Sequence, residues 1–402
     1  MTVFGIIWVA VIFVGMLKSD IKYIITIVFV GMIWQCNNVI MLDGGFSVGP
    51  QVLTSAAFLI KSLLYKRKKK YVPTSMQWAW GLLLLWVVIV CAIHGQNEKM
   101  INVIMLGVYV CTFVQLSRFS IFLDHTYVKK LFLTVLWFIV GIGALQFVIE
   151  VFDVPKNTIV QTLIYNDITN TNICYNFKNV ERFYSSFMEP SYVAPFLVGT
   201  FFFVLSCKNE ITFRRKNFLL AILLICIALS KSSTAYGAFA VIMALYIVRN
   251  SNNIKIWLGT IVGCITVLFL MVGTNVLNEV IFDKLDSVSG IVRSNMNERA
   301  MENFFLSPIT GAGYKFSRGS SIVPTLLGEL GIVALVIYVL VVFILLKKIY
   351  HGNEAVPSVY MVLSAMICQI IACPDLDLCT FWLAMYFFAI HSGIRSKERC
   401  NK

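Results

Sequence analysis

The chain has 402 residues, 59% of them hydrophobic and only 13% charged, with a mean hydropathy of +0.82 and a formal net charge of +13. That much apolar surface excludes a soluble globular domain and points to an integral membrane protein.

A hydrocarbon core of about 30 Å takes about 20 helical residues to cross. Thirteen candidate spans follow in chain order, at approximately 3–17, 23–42, 46–65, 76–93, 100–116, 131–151, 191–206, 217–230, 235–248, 256–276, 322–346, 356–373 and 379–391. Two of them, 217–230 and 235–248, are short, so the expected count runs from 11 to 14. The runs lack the alternation of barrel strands, and backbone in lipid must satisfy its own hydrogen bonds, so the spans are predicted to be helices. The fold class is an all-α polytopic membrane protein forming a single integral domain over 1–402. The first run has no basic segment before it and no A-x-A site after it, and reads as a helix rather than a signal peptide.

Most of the cysteines, among them Cys91, Cys111, Cys226, Cys264 and Cys368, lie inside apolar runs as small hydrophobes. Cys373 and Cys379 flank the short "PDLDL" turn, where two free thiols are the expectation and a disulfide the alternative.

If "KRKKK" at 66–70 is cytoplasmic, alternation puts 22 of the 33 Lys and Arg on that side, with Lys61 left inside a span. This agrees with the positive-inside rule and places the N-terminus outside and the C-terminus inside. The charge of +13 then needs no nucleic acid; the cytoplasmic cluster fits topology or membrane lipid. Eight outer-face cations, Lys156, Lys178, Arg182, Lys284, Arg293, Arg299, Lys315 and Arg318, fall in two long extracytoplasmic loops, 152–190 and 277–321. Long connections of this kind carry function. Both loops contain apolar and aromatic residues suited to amphipathic segments. Their arginines call for an anionic partner, because a planar guanidinium grips phosphate oxygens as a fork.

Within "RFYSSFMEPSYVAPFL", 182–197, Pro190 suits the first turn of the following span and Glu189 sits at a helix start on the outer face. The helix dipole there favours an ionised carboxylate, which can accept from hydroxyls, cap the helix or pair with Arg182.

This stretch resembles the Arg-x-x-Gly-x-Phe-x-Glu-Pro element of the bacterial O-antigen polymerase (Wzy-type) and O-antigen ligase superfamily, with Ser185 where glycine is usual. "LSKSSTAYGAFAV" at 229–241 is similar to that family's Ser-Arg-Ser/Gly helix start, Lys231 replacing arginine. "RAMENFFLSPITGAGYKFS" at 299–317 resembles its arginine, aromatic helix and Pro-x-x-Gly-x-Gly pattern, and "LLGELGIVALVIYVL" at 326–340 its Glu-x-Gly-Ile span. The spacing differs: Arg299 is followed by eleven residues before Gly311 where the family has Arg-x10-Gly, and Arg182 has no matching glycine.

The resemblance implies a GT-C-like bundle in the cytoplasmic membrane, with its site facing the periplasm or outside. The implied activity joins undecaprenyl-pyrophosphate-linked oligosaccharide repeat units into O-antigen or another surface polysaccharide and releases undecaprenyl pyrophosphate. Arg182 and Arg299 are expected to meet the pyrophosphate, where charge develops in the transition state, and Glu189 the acceptor hydroxyl. Lys231, Arg293, Lys315, Arg318 and Glu329 are expected to bind substrate, although Glu329 suits a neighbouring helix equally well. A chain-length regulator and a flippase are implied partners. Neither metal nor other cofactor is expected, since the outer loops offer no histidine and no metal-like carboxylate spacing. Two rivals remain. The ligase of lipopolysaccharide assembly carries, by the same resemblance, a histidine after Gly-x-Gly, and "RGSSIVPTLLGELG" has none. A lipid-linked oligosaccharide flippase or transporter would tend to show repeated halves and intramembrane charges, which are few here.

Overall fold

Helix α1 (Val3–Leu17) is apolar throughout and is followed by the short α2 (Ile21–Gly31), capped where the Asp20 carboxylate accepts from the Lys22 amide. The chain is seen in a computed structural model that describes residues 3–35, 39–42, 46–65, 74–151, 182–187, 189–207, 213–250, 288–351 and 357–400. Candidate span 256–276, the "KRKKK" run and most of loop 152–190 lie outside those residues, as do Lys156, Lys178 and Lys284.

The predicted span 23–42 is corrected. Its helix stops at Gly31, and residues Ile40–Leu42 and Phe46–Val48 pair instead as an antiparallel hairpin, β1 and β2, with Ile40 opposite Val48. The run begins again only at Pro50, which occupies the first turn of α3 (Pro50–Leu64). There follow α4 (Ser75–Ile93), α5 (Met100–Phe119), α6 (His125–Val151), α7 (Pro190–Ser206), α8 (Phe213–Ser230) and α9 (Ser233–Asn250). The second long loop contains the helix α10 (Val288–Leu306), and α11 (Ile322–His351), α12 (Ser358–Ile371) and α13 (Cys379–Cys400) complete the bundle. The described residues thus form thirteen α-helices.

Segments 75–93, 97–122, 125–148 and 322–349 are long and apolar enough to cross a membrane. Their outer faces are apolar: Trp78, Ile104 and Phe343 are each about 60% exposed. A soluble monomer rarely exposes contiguous apolar surface on this scale.

Helix α7 is the axis of the bundle, with every side chain from Pro190 to Val204 buried. A helix apolar on all sides belongs in an interior. Gly199 lets α7 approach α12, since a Cβ there would lie 2.7 Å from the Met361 Cα. Pro195 leaves the carbonyl of Ser191 without its helical donor, and the Cys373 thiol points at that oxygen at 3.3 Å.

Cations close three helix C-termini, where carbonyls lack partners. Lys61, the charge left inside a span, donates to Gly15 O at 2.7 Å and to Lys18 O, ending α1. Lys216 donates to Leu205 O and Cys207 O at 2.7 and 3.0 Å, ending α7. Arg182 does the same for α8.

The helix ends sort into two groups. At one end Lys22 meets Asp124, Ser120 packs under Gly393, and His125 lies against His391. At the other, residues 93–97, 182–187, 189–190, 230–233, 308–321 and 373–379 come together, and the candidate site lies there.

Candidate functional site

The site is built around a break in α11. Gly331 adopts φ 72° and ψ −172°, which splits the helix and frees the carbonyls before it. The "PITGAG" segment repairs two of them, Ala312 N–H donating to Gly328 O at 2.8 Å and Gly313 N–H to Glu329 O at 2.9 Å, and its Pro308 carbonyl accepts from the Ile332 N–H at 2.9 Å. The Trp86 indole takes Leu330 O at 2.8 Å. Broken helices at membrane depth survive only where neighbours re-satisfy the backbone in this way. Gly311, at φ 64°, permits the contact, since a Cβ there would sit 2.4 Å from the Glu329 carbonyl carbon.

This loop delivers Lys315 and Arg318 onto the "PDLDL" turn between α12 and α13. The Arg318 guanidinium forks onto Asp375, Nε to Oδ1 at 3.1 Å and Nη2 to Oδ2 at 2.7 Å, and Nη2 also donates to Tyr192 Oη at 2.7 Å. Lys315 Nζ donates to Asp377 Oδ1 at 2.8 Å and to Asp375 Oδ1 at 3.5 Å. Lys315 holds a left-handed backbone, φ 59°, a conformation that marks strain in a residue other than glycine. The turn is held from below, where Gln369 Nε2 donates to Asp375 O at 2.8 Å while its Oε1 accepts from Tyr338 at 2.9 Å. Cys373 and Cys379 at the ends of the turn are both buried, and neither is in a disulfide with a described residue.

Glu329 is buried beneath this cluster, in a small pocket shared with Tyr314, Lys315, Thr325 and Asp375. It faces the cluster from within the helix packing.

Arg182 is half-buried and spends its donors on structure, Nε to Ser230 O at 3.1 Å and Nη2 to Lys231 O at 2.8 Å. It forms no ion pair with Glu189, although burial lowers its pKa, Glu189 counters that effect and Arg293 adds to it. Lys231 turns the chain from α8 to α9 in a left-handed conformation, φ 44°, with its side chain exposed. Glu189 begins α7 with Pro190 in the first turn and accepts from Ser191 Oγ at 3.1 Å; it does not cap through its own side chain.

Of the two α10 arginines, Arg293 is the one whose charge reaches Arg182 and Cys373. Asn297, one turn on, fixes that face by accepting from Ser320 N–H at 2.8 Å and Ser320 Oγ at 3.0 Å. Arg299 lies about 120° around the helix from Arg293. It is exposed and makes no hydrogen bond or ion pair with a described residue. The contacts and charges of the described residues link Arg182, Arg293, Lys315 and Arg318 with Glu189, Tyr192, Asp375 and Asp377, and show none between Arg182 and Arg299. Asp375, Asp377 and Tyr192 went unread in the sequence. Their signal was two carboxylates in a five-residue connection between apolar runs.

No protein-family model matches the chain. No curated protein matches it either. Among the described residues no group of three or more His, Cys, Asp or Glu is arranged to hold a metal ion.

The electrostatics predict a pH profile. Burial alone would raise the Asp375 carboxyl, but Lys315 and Arg318 outweigh it and hold it below the usual 3.8. Burial alone would lower Lys315, but Asp377 and Asp375 outweigh it and raise it above 10.5. A depressed carboxylate stabilises above its unfolded pKa and loses that contribution as pH falls through its folded one; a raised lysine stabilises below its unfolded pKa and loses it only as pH rises through its folded one. The cluster's contribution is thus level at neutral pH and falls away below about pH 4. Asp375→Asn is expected to cost about 2 kcal/mol at pH 7, less than a fully buried pair would lose because Arg318 is 42% exposed. Thermal unfolding of both proteins in detergent from pH 3 to pH 8 checks this, since the gap should close on the acid side.

Proposed function

We propose that the chain is a multi-pass protein of the cytoplasmic membrane that polymerises undecaprenyl-pyrophosphate-linked oligosaccharide units at the outer face. One observation carries this reading. The four stretches that resemble O-antigen polymerases meet at one bundle end: Arg182 bonds the Ser230 and Lys231 carbonyls, 311–313 packs on the broken α11, and Arg318, next to the third stretch, donates to Tyr192 of the first. Ser185 adds to it: the position where the family carries glycine has φ 55°, a backbone that glycine adopts without strain.

In the proposed reaction, an acceptor hydroxyl attacks the anomeric carbon of the growing glycan, the bond to pyrophosphate breaks, and its electron pair leaves with undecaprenyl pyrophosphate. Arg318, Lys315 and Arg293 meet the charge that develops there, the kind of preorganised stabilisation that dominates catalysis. Glu189, exposed at the mouth, takes the hydroxyl proton. Arg182 positions the loop that carries Glu189. Asp375 and Asp377 hold the cations in place before substrate arrives and keep them from repelling one another.

The test is a null cell. A polymerase null is expected to display single repeat units while lacking long chains. Loss of all surface repeats, with units trapped in the cytoplasmic leaflet, would instead identify a flippase. Reporter fusions at Gly313 check the orientation, and the expected signal is extracytoplasmic.

A further inference from the structure

The chain from α10 to α11 descends along α11 and climbs back. Helix α10 starts its descent beside Ser320, whose N–H donates to Asn297 Oδ1 at 2.8 Å, and passes Gly328, where a Cβ would lie 2.6 Å from Ala300 O. Its exit reaches Ile332, whose N–H donates to Pro308 O at 2.9 Å. The return follows α11 upward, Ala312 bonding to Gly328 O and Gly313 to Glu329 O, until Ser320 stands beside Asn297 again. The depth of the turning point follows from the length of α11. Lys347 and Lys348 close its apolar part. Counting back about 20 residues, enough to cross about 30 Å of hydrocarbon, puts the opposite boundary near Leu327. Ile332 is then about five residues, or about 7 Å, inside it. The outward row of α11 begins at the same place, since Ile332, Val336, Val339 and Phe343 are exposed at helical spacing.

The turning point has the composition that this depth requires. From Asn303 to Tyr314 the chain carries no charge, whereas the higher part of α10 holds Arg293, Glu298, Arg299 and Glu302. Phe305, Leu306 and Ile309 are 72%, 84% and 63% exposed. Ile309 adjoins the outward row of α11, because its carbonyl packs on Gly331. Irregular backbone at membrane depth needs partners within the protein. Here Ser307 N–H donates to Asn303 O at 3.0 Å and Gly311 N–H to Ser307 O at 2.8 Å, while the Ser307 and Thr310 hydroxyls share a hydrogen bond of 2.9 Å. We propose that 303–310 is a re-entrant tip, with Phe305, Leu306 and Ile309 lying among the acyl chains of the leaflet opposite Lys347 and Lys348. Lipid is the occupant because the patch is continuous with an α11 surface that already faces it, so no further partner is needed to cover three large apolar side chains. Lys315 and Arg318, on the returning segment between Gly313 and Ser320, then stand near the boundary, at the level of lipid phosphates. The inference needs α11 to cross the membrane and does not depend on the polymerase reading.

The experiment uses the full chain in phosphatidylcholine vesicles. Glu298, Leu306, Ile309 and Val336 are each replaced in turn by an environment-sensitive fluorescent amino acid, and its emission is quenched either by iodide in the water or by nitroxides on the lipid acyl chains. All four side chains are exposed, so the probe displaces no packing, and a monodisperse elution profile registers folding. Probes in place of Leu306 and Ile309 are expected to match the one in place of Val336: blue-shifted, shielded from iodide several-fold and quenched by the nitroxides. The probe in place of Glu298 should answer to iodide instead. Iodide quenching at the tip equal to that at Glu298 would overturn the proposal by placing the tip in water. Shielding from both quenchers would overturn it too, because the patch would then be covered by protein, a second copy of the chain included. Phosphatidylcholine with a photoactivatable group in its acyl chain gives a reading on the unmodified protein. Adducts are expected on 303–309 as on 336–343, and their absence from the tip alone would overturn the proposal whatever the fluorescent variants do. Polymer length enters neither readout, so failure here leaves the polymerase reading standing.

Discussion

Arg318→Lys is expected to reduce polymer formation on the order of 100-fold at unchanged membrane levels, although the charge is kept. The guanidinium reaches both oxygens of Asp375 and the Tyr192 hydroxyl at once, at 3.1, 2.7 and 2.7 Å. An ammonium is a point donor and cannot hold that fork and a phosphate oxygen together. The sequence alone would have placed this experiment at Arg299. The structure moves it, because Arg318 is bound into the cluster while Arg299 is exposed on a different face of α10. Arg299→Lys is therefore the control, with a near-normal length ladder expected. If Arg318 were only a surface ion pair, its loss would cost about 0 to 1 kcal/mol of stability and leave chain length alone. Normal ladders in both variants would mean that the Arg318–Asp375 pair merely seats the turn.

Helix positions were readable because they follow from apolar run length alone, and most candidate spans match a helix. The failure at 23–42 has a local cause: the run counts Ile, Met and Leu of a hairpin as helix, although the polar "QCNN" before it and "DGG" within it break the pattern. Pro190 and Glu189 at the head of α7 were legible because proline geometry is local. The functions of the cations were not. Nothing in the sequence around Lys61, Lys216, Arg182 and Arg318 tells that three are spent on carbonyls and one on a carboxylate. That distinction depends on which helix end comes to rest beside each side chain, and a single sequence does not carry it. Asp375 and Asp377 were missed for the same reason, since a short polar turn reads as an ordinary connection until Lys315 and Arg318 are seen against it.

Gly331→Ala is expected to abolish polymer formation and to destabilise the protein by about 3 kcal/mol or more, the sum of two independent effects. Its backbone, φ 72° and ψ −172°, lies in a region that is essentially glycine-only, where another residue costs about 1–3 kcal/mol. A Cβ would also fall 2.0 Å from the Ile309 carbonyl oxygen, an atom of the backbone that cannot swing away as a side chain would. Relief requires either closing the break in α11 or pushing the 308–313 segment off it. Each route strips donors from the Gly328 and Glu329 carbonyls and drags Lys315 and Arg318 away from Asp375, so stability and activity should fall together. Gly81→Ala supplies the comparison. That glycine lies inside α4 with nothing within 4 Å of a new Cβ, and alanine there should change little or stabilise by up to about 1 kcal/mol. Unfolding midpoints and length ladders for the two variants decide the matter. A Gly331→Ala protein as stable as the native one would mean that α11 can run straight, and that the "PITGAG" loop, with the cations it carries, is anchored by something other than the break.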